Sequence, residues 1–123
     1  MDDPNLRMLQ TYADAWNDHD IDRIMSFMTP DCIFQAGGGS EIYGDRHQGM
    51  ASVRERFLEV WAHFPDARWS EDQHFVSGDR GLSEWLFTGT APDGSTVAIH
   101  GCDVFTFRIG MIAIKDTFLK ART

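Results

Sequence analysis

The 19 Asp and Glu and 5 His of this 123-residue chain could move a proton or hold an ion, but they are scattered, and only some stand in a pattern that suggests it. Asp116 stands in a run where Ile112, Ile114 and Phe118 alternate, so plain two-residue alternation turns it toward the same apolar face. Desolvation on such a face raises a carboxyl pKa, as a general acid or base working near neutral pH requires; the residue could equally meet Arg or Lys where two copies touch. Glu84, between Leu82 and Leu86, either points inward with them or sits opposite an inward Trp85 and Phe87 and meets water. His74 and His100 lie on separate extended runs. Either could carry a proton, and either could be a hydrogen-bonded structural residue.

Other motifs fail on inspection. Asp18, Asp20 and Asp22 alternate as in a calcium loop, but Arg23 fills the Gly position and Thr29 the Glu position. The five His and two Cys lack zinc spacing, so no metal is expected, and no cofactor. Gly37 to Gly39 lack the Lys-Ser/Thr and the helix that follow a phosphate loop, and read as a lip beside a cavity. No nucleophile elbow or Ser/His/Asp order is apparent.

The elements that must position these residues come in two blocks. Leu6, Leu9, Ala13 and Trp16, with Tyr12 beside them, predict a helix over residues 4–17. Asp20 caps a short second helix whose stripe is Ile21, Ile24, Met25 and Met28, stopped by Pro30. A third begins near Gly49 and carries Val53, Phe57, Val60, Trp61 and Phe64 up to Pro65. An early strand is expected from Asp31 to Gln35, and from residue 67 onward the pattern is extended, over 67–76, 82–90, 95–107 and 111–120. Turns at Ser77-Gly78-Asp79, Pro92-Asp93-Gly94 and Arg108-Ile109-Gly110 join these runs into an antiparallel meander. Helices first and strands last predict one α+β domain over residues 1–123, with helices on one face of a curved sheet and a cone open at one end.

Composition limits the partners. A formal charge of −8 without a Lys/Arg cluster argues against nucleic acid and against an anionic membrane surface. Two distant Cys, an acidic start and no apolar run of bilayer length predict a cytoplasmic protein with free thiols. Nine Phe and four Trp suit either a thick core or the walls of a pocket for a small apolar molecule. Trp16, Phe34, Trp61, Trp85, Phe87, His100, Phe105 and Phe118 are the candidate wall, Trp69 a further aromatic of the same kind, and each aromatic has ordinary core packing as its plainer reading.

Two stretches resemble a known family. Tyr12-Ala-Asp-Ala-Trp-Asn-Asp-His-Asp-Ile-Asp22 with Phe27-Met-Thr-Pro-Asp-Cys32 is similar to the opening of nuclear transport factor 2-like proteins, especially the SnoaL-like branch. Gly101-Cys-Asp-Val-Phe-Thr-Phe107 and Gly110-Met-Ile-Ala-Ile-Lys-Asp-Thr-Phe118 look like that family's last hairpin, although Arg108-Ile109-Gly110-Met111 replaces its usual Asp-Gly-Lys turn. The resemblance implies a cystatin-like cone with three N-terminal helices on a strongly curved antiparallel sheet, and homodimers through the sheet's outer face. It is weak for function, because this fold carries isomerases, cyclases, hydrolases, dehydratases and non-enzymes.

Ketosteroid isomerase is the informative relative. The handful of groups known for it, an oxyanion hole of Tyr and protonated Asp beside an Asp base, map by resemblance onto Tyr12 and Asp103, while the base falls at Ala36. Tyr12 and a neutral Asp103 would then polarise a substrate carbonyl, but steroid isomerisation by that route is disfavoured. In SnoaL-like cyclases an Asp of the last strand is the acid/base, which points to Asp116. A gapless comparison with the isomerase instead turns Lys115 and Thr117 inward; apolar alternation and the penalty for burying Lys favour Asp116. The expected function is a small-molecule pocket protein, acting by cofactor-independent acid/base chemistry on an apolar carbonyl compound. A non-catalytic ligand-binding or dimerisation module, or an interaction module with a filled cone, are the alternatives.

Overall fold

The structure, a computed structural model, describes residues 3–121. Asp3 accepts from the Asn5 backbone N–H at 2.9 Å and Pro4 needs no partner for its nitrogen, so the chain starts cleanly into α1 (Pro4–Asn17). The apolar stripe of α1 buries Leu9, Tyr12, Ala15 and Trp16. Asp20 caps α2 (Ile21–Ser26) through Arg23 N–H at 3.2 Å. The chain then extends into β1 (Met28–Gln35) and β2 (Arg46–Gln48) before α3 (Met50–His63). Four long strands complete it: β3 (Arg68–Ser77), β4 (Arg80–Thr90), β5 (Thr96–Arg108) and β6 (Met111–Leu119).

All six strands form one sheet in the order β2-β1-β6-β5-β4-β3. The meander β3 to β6 is antiparallel, as the turn residues require. The expected all-antiparallel sheet is corrected at one pair, because β1 runs parallel to β6. That follows from the connection: β1 reaches the sheet after two helices rather than through a hairpin, so nothing forces the direction to alternate. The three-residue β2 has no periodic signal and was not foreseen.

Helices and sheet enclose the core between them. Leu9, Ile24, Met28, Val53, Phe57 and Ile112 are fully buried. Asn17 fixes the end of α1 to β3 by using both ends of its amide: Nδ2 donates to Trp69 O and Trp69 N–H donates to Oδ1, each at 2.8 Å. Two polar backbone groups at the sheet's edge are thereby satisfied by a side chain. Among the described residues, no helix is long and apolar enough to cross a membrane.

Candidate functional site

The inner wall of the sheet and the helices surround a cavity of about 240 Å³. Its walls are mainly rings, from Tyr12, Trp16, Phe34, Trp69, Trp85, Phe87 and Phe105. The rings brace one another edge to face: Tyr12 on Phe105 with centroids 5.8 Å apart, Trp16 on Trp69 at 5.1 Å, and Phe34 on Phe57 at 5.0 Å. Gly101 shapes this wall. A Cβ there would lie 2.6 Å from the Trp85 ring, so only glycine lets the indole lie across β5.

That placement brings the Trp85 indole to a buried polar cluster. Asp103, directly across the β5/β6 ladder from Thr117, accepts from Thr117 Oγ1 at 2.6 Å and from Trp85 Nε1 at 3.0 Å. Lys115 Nζ meets the same carboxylate at 2.8 Å. Asp103 and Lys115 are 5% and 7% exposed, so the pair is withdrawn from water. The Lys115 ammonium also sits 5.3 Å from the Trp16 ring centre, 5.5 Å from Phe105, 5.8 Å from Tyr12 and 6.0 Å from Phe34. Ring faces at that range attract a cation and offset part of its desolvation. Two opposite charges, two neutral donors and four rings thus make a buried lysine tolerable where an isolated one is not.

The cluster exists because β6 is bulged. Counting back from the turn, Arg108 pairs with Met111 and Phe107 with Ile112, but Thr106 pairs with Ile114, leaving Ala113 as an extra residue. Without that bulge the ladder would set Asp103 opposite Asp116. With it, Ile112 stays in the core and Lys115 and Thr117 turn into the cavity. The expectation for Asp116 is corrected accordingly: it pairs with Val104 on the outer face. His100 and Phe118 are also outside, bordering a shallow groove with Glu84 and Cys102. Trp61 is behind the wall rather than in it, 5.2 Å from Trp16 ring to ring and stacked on His19 at 5.1 Å. Glu84 is exposed, as an inward Trp85 requires.

The Tyr12–Asp103 pair is brought to one cavity but not in the expected roles. Asp103 takes hydrogen bonds from three donors, which is the work of a carboxylate and not of a neutral acid. The Tyr12 hydroxyl donates to Met28 Sδ at 3.7 Å, so its ring lines the cavity while its hydroxyl is spent in the core. Burial pushes the Tyr12 phenol well above its ordinary range, with the Trp16 indole opposing that shift and the Asp103 charge reinforcing it. Ala36 lines the cavity where a base would be expected by resemblance.

A second polar chain was missed. Ser83 Oγ and His74 Nδ1 are 2.7 Å apart, and His74 Nε2 is 2.8 Å from Asp72 Oδ2. All three residues line the cavity. The signal was present in the turn: a tight reversal at Gly78-Asp79 pairs Ser77 with Arg80, and the same register sets His74 opposite Ser83. Asp72 follows two residues before His74, on the same face, just after a bulge at Glu71 whose backbone is left-handed at φ 56°. Among the described residues no group of three or more His, Cys, Asp or Glu could hold a metal. Cys32 and Cys102 are free, and burial pushes both thiols up, away from reactivity.

A bulged cone of this kind, lined with rings and floored by a few polar groups, defines a class of small α+β pocket domains. The model of the SnoaL-like domain matches residues 9–114, and the chain belongs to that family. Solved structures agree on the fold. A nuclear transport factor 2-like protein of unknown function from Burkholderia pseudomallei superposes with a TM-score of 0.86 at 19% identity, covering 97% of this chain and 92% of that one. A polyketide cyclase candidate from Xanthomonas campestris pv. campestris gives 0.83 at 19% identity over 94% and 89% of the two chains. TerC, crystallised with polyporic acid, gives 0.82 at 22% identity over 96% and 92%. A search of curated proteins by sequence found no match.

Proposed function

We propose that the cone binds a small, flat, largely apolar molecule that carries a carbonyl or hydroxyl oxygen, and acts on it by cofactor-independent acid/base chemistry. The observation that carries this reading is the convergence of Asp103, Lys115 and Thr117 on one patch of an otherwise aromatic wall. Rings supply affinity for a flat apolar body, and a few fixed polar groups orient its oxygen. An ammonium has three donors, so Lys115 can hold Asp103 and a ligand oxygen at once. Asp103, already accepting from three groups, is poorly placed to take a further proton. His74, able to give and to take one, is the better proton carrier on this wall.

Occupancy is tested by thermal melts with 1-tetralone and 1-naphthol as probes. The midpoint should rise for the natural sequence and stay fixed for Val97→Arg, which fills the cavity from its half-buried rim. A midpoint that moves with neither probe removes the ligand reading.

Ala36, a methyl group where a base is expected, supports a second reading, ligand binding without turnover. The outer face, where Phe75 and Phe118 are each 53% exposed, supports pairing of two copies there. Sedimentation equilibrium showing only monomers would remove that part.

A further inference from the structure

We propose that Ser83, His74 and Asp72 form a nucleophile, base and orienting acid, and that the cavity hydrolyses small apolar esters through an acyl group on Ser83. The inference rests on the cavity admitting a small apolar molecule, and adds to that reading a nucleophile and an ester as substrate class.

The tautomer follows from the partners. The Asp72 carboxylate can only accept, so His74 Nε2 carries the proton it donates across 2.8 Å, and in the neutral imidazole Nδ1 is then left bare. The bare Nδ1 is 2.7 Å from Ser83 Oγ, the reach at which it accepts the serine proton. The His74 side chain is 5% exposed and Asp72 45% exposed, so the carboxylate at the cavity's edge stays solvated while base and nucleophile are dry. Ring rotation is prevented because both nitrogens are bound, which is the positioning that a serine nucleophile needs from its histidine. The two nitrogens are used in the opposite sense from the familiar protease triad, but the order of roles is the same.

Ser83 faces the cavity directly opposite Asp103 in the β4/β5 ladder. Asp103 holds the Lys115 ammonium at 2.8 Å, so a fixed positive charge reaches the same cavity from β6, two strands from Ser83, where the oxygen of a carbonyl spanning the cavity can meet it. Negative charge developing on the carbonyl oxygen is stabilised by such a charge in a water-poor site. The step balances within these groups. Ser83 Oγ bonds to the ester carbon as its proton passes to His74 Nδ1, and Nδ1 gives that proton to the leaving oxygen as the C–O bond breaks, so the alcohol or phenol departs and Nδ1 is bare again. A water molecule then adds to the acyl carbon, giving one proton to Nδ1, which returns it to Ser83 Oγ as the acyl–Oγ bond breaks; the product leaves as the carboxylic acid and ionises in solvent.

The test uses p-nitrophenyl butyrate with the whole chain. Stopped-flow absorbance should show a burst approaching one p-nitrophenol per chain, and acid-quenched protein should carry one butyryl group that peptide mapping places on Ser83. Ser83→Ala should lose the burst, His74→Gln should slow it by about 100-fold or more, and Asp72→Asn by about 10-fold or more, amounts typical of losing a base or its orienting partner. Circular dichroism establishes that each variant is folded, and Ser83→Cys, with a nucleophile kept in place, should regain a butyryl label. A label on Lys115 or elsewhere, or equal bursts from the natural chain and Ser83→Ala, overturns the triad. A saturable midpoint rise with 1-tetralone in the absence of any acylation overturns the triad but leaves the ligand reading standing. Neither binding nor acylation removes both.

Discussion

The two faces of β5 and β6 carry similar side chains and opposite physics. On the inner face Asp103 is buried against Lys115, Thr117 and Trp85; on the outer face Asp116 lies beside Val104 and near Cys102, which has the exposed Glu84 on its other side. Both acids belong to the same hairpin. What separates them is Ala113, one residue too many in β6, which sends Lys115 inward and Asp116 outward. A single bulge therefore decides which carboxylate belongs to the cavity and whether it arrives with a counter-charge.

The strongest way to break the comparison is to remove one partner of the inner pair. Lys115→Met should cost about 3–5 kcal/mol, because Asp103 is left as a buried charge with only neutral donors, and Asp103→Leu in the same chain should return most of that loss. Urea unfolding of the single and double variants checks both. Trp85→Phe keeps the ring but deletes the 3.0 Å indole bond to Asp103, and should cost about 1.5–3 kcal/mol by the same assay.

Tyr12 sharpens the contrast through pH. Its phenol is raised in the folded state by burial, so below about pH 10 it is neutral in folded and unfolded chains alike. Above that, the unfolded chain sheds the proton and the folded chain resists, so stability falls as pH rises. Urea midpoints taken between about pH 9 and 11 should therefore drop more for the natural sequence than for Tyr12→Phe. Asp116→Asn, on the wet face, should change stability by no more than about 0.5 kcal/mol. An effect as large as that of Lys115→Met would show that the two faces are not distinct.

The helices and the meander were legible because they are written locally. Leu9, Tyr12 and Trp16 recur at helical spacing in α1, and glycine-bearing turns at 78, 94 and 110 mark the hairpins. The bulge was not legible, since Ala113 is a small residue of no special backbone type and regular counting from the turn pairs Asp103 with Asp116. The error in placing Asp116 has two causes, the bulge itself and a burial penalty used against Lys115 that left out Asp103 as its partner. The parallel β1/β6 contact escaped for a related reason: it joins residues about 80 apart, which no local pattern records. The Ser83–His74 contact could have been read from the Gly78 turn, but Asp72 joins it only through the bulge at Glu71, again a register feature.

The account stands on molecules entering the ringed cavity, and the tryptophans report this from inside. Trp16, Trp69 and Trp85 line the cavity, while Trp61 packs behind Trp16. Titrating 1-tetralone against the four indole N–H resonances in a 15N–1H spectrum should move the signals of Trp16, Trp69 and Trp85 along one saturation curve, Trp85 furthest, with Trp61 moving least. Four stationary signals, or a shift confined to Trp61, would contradict it.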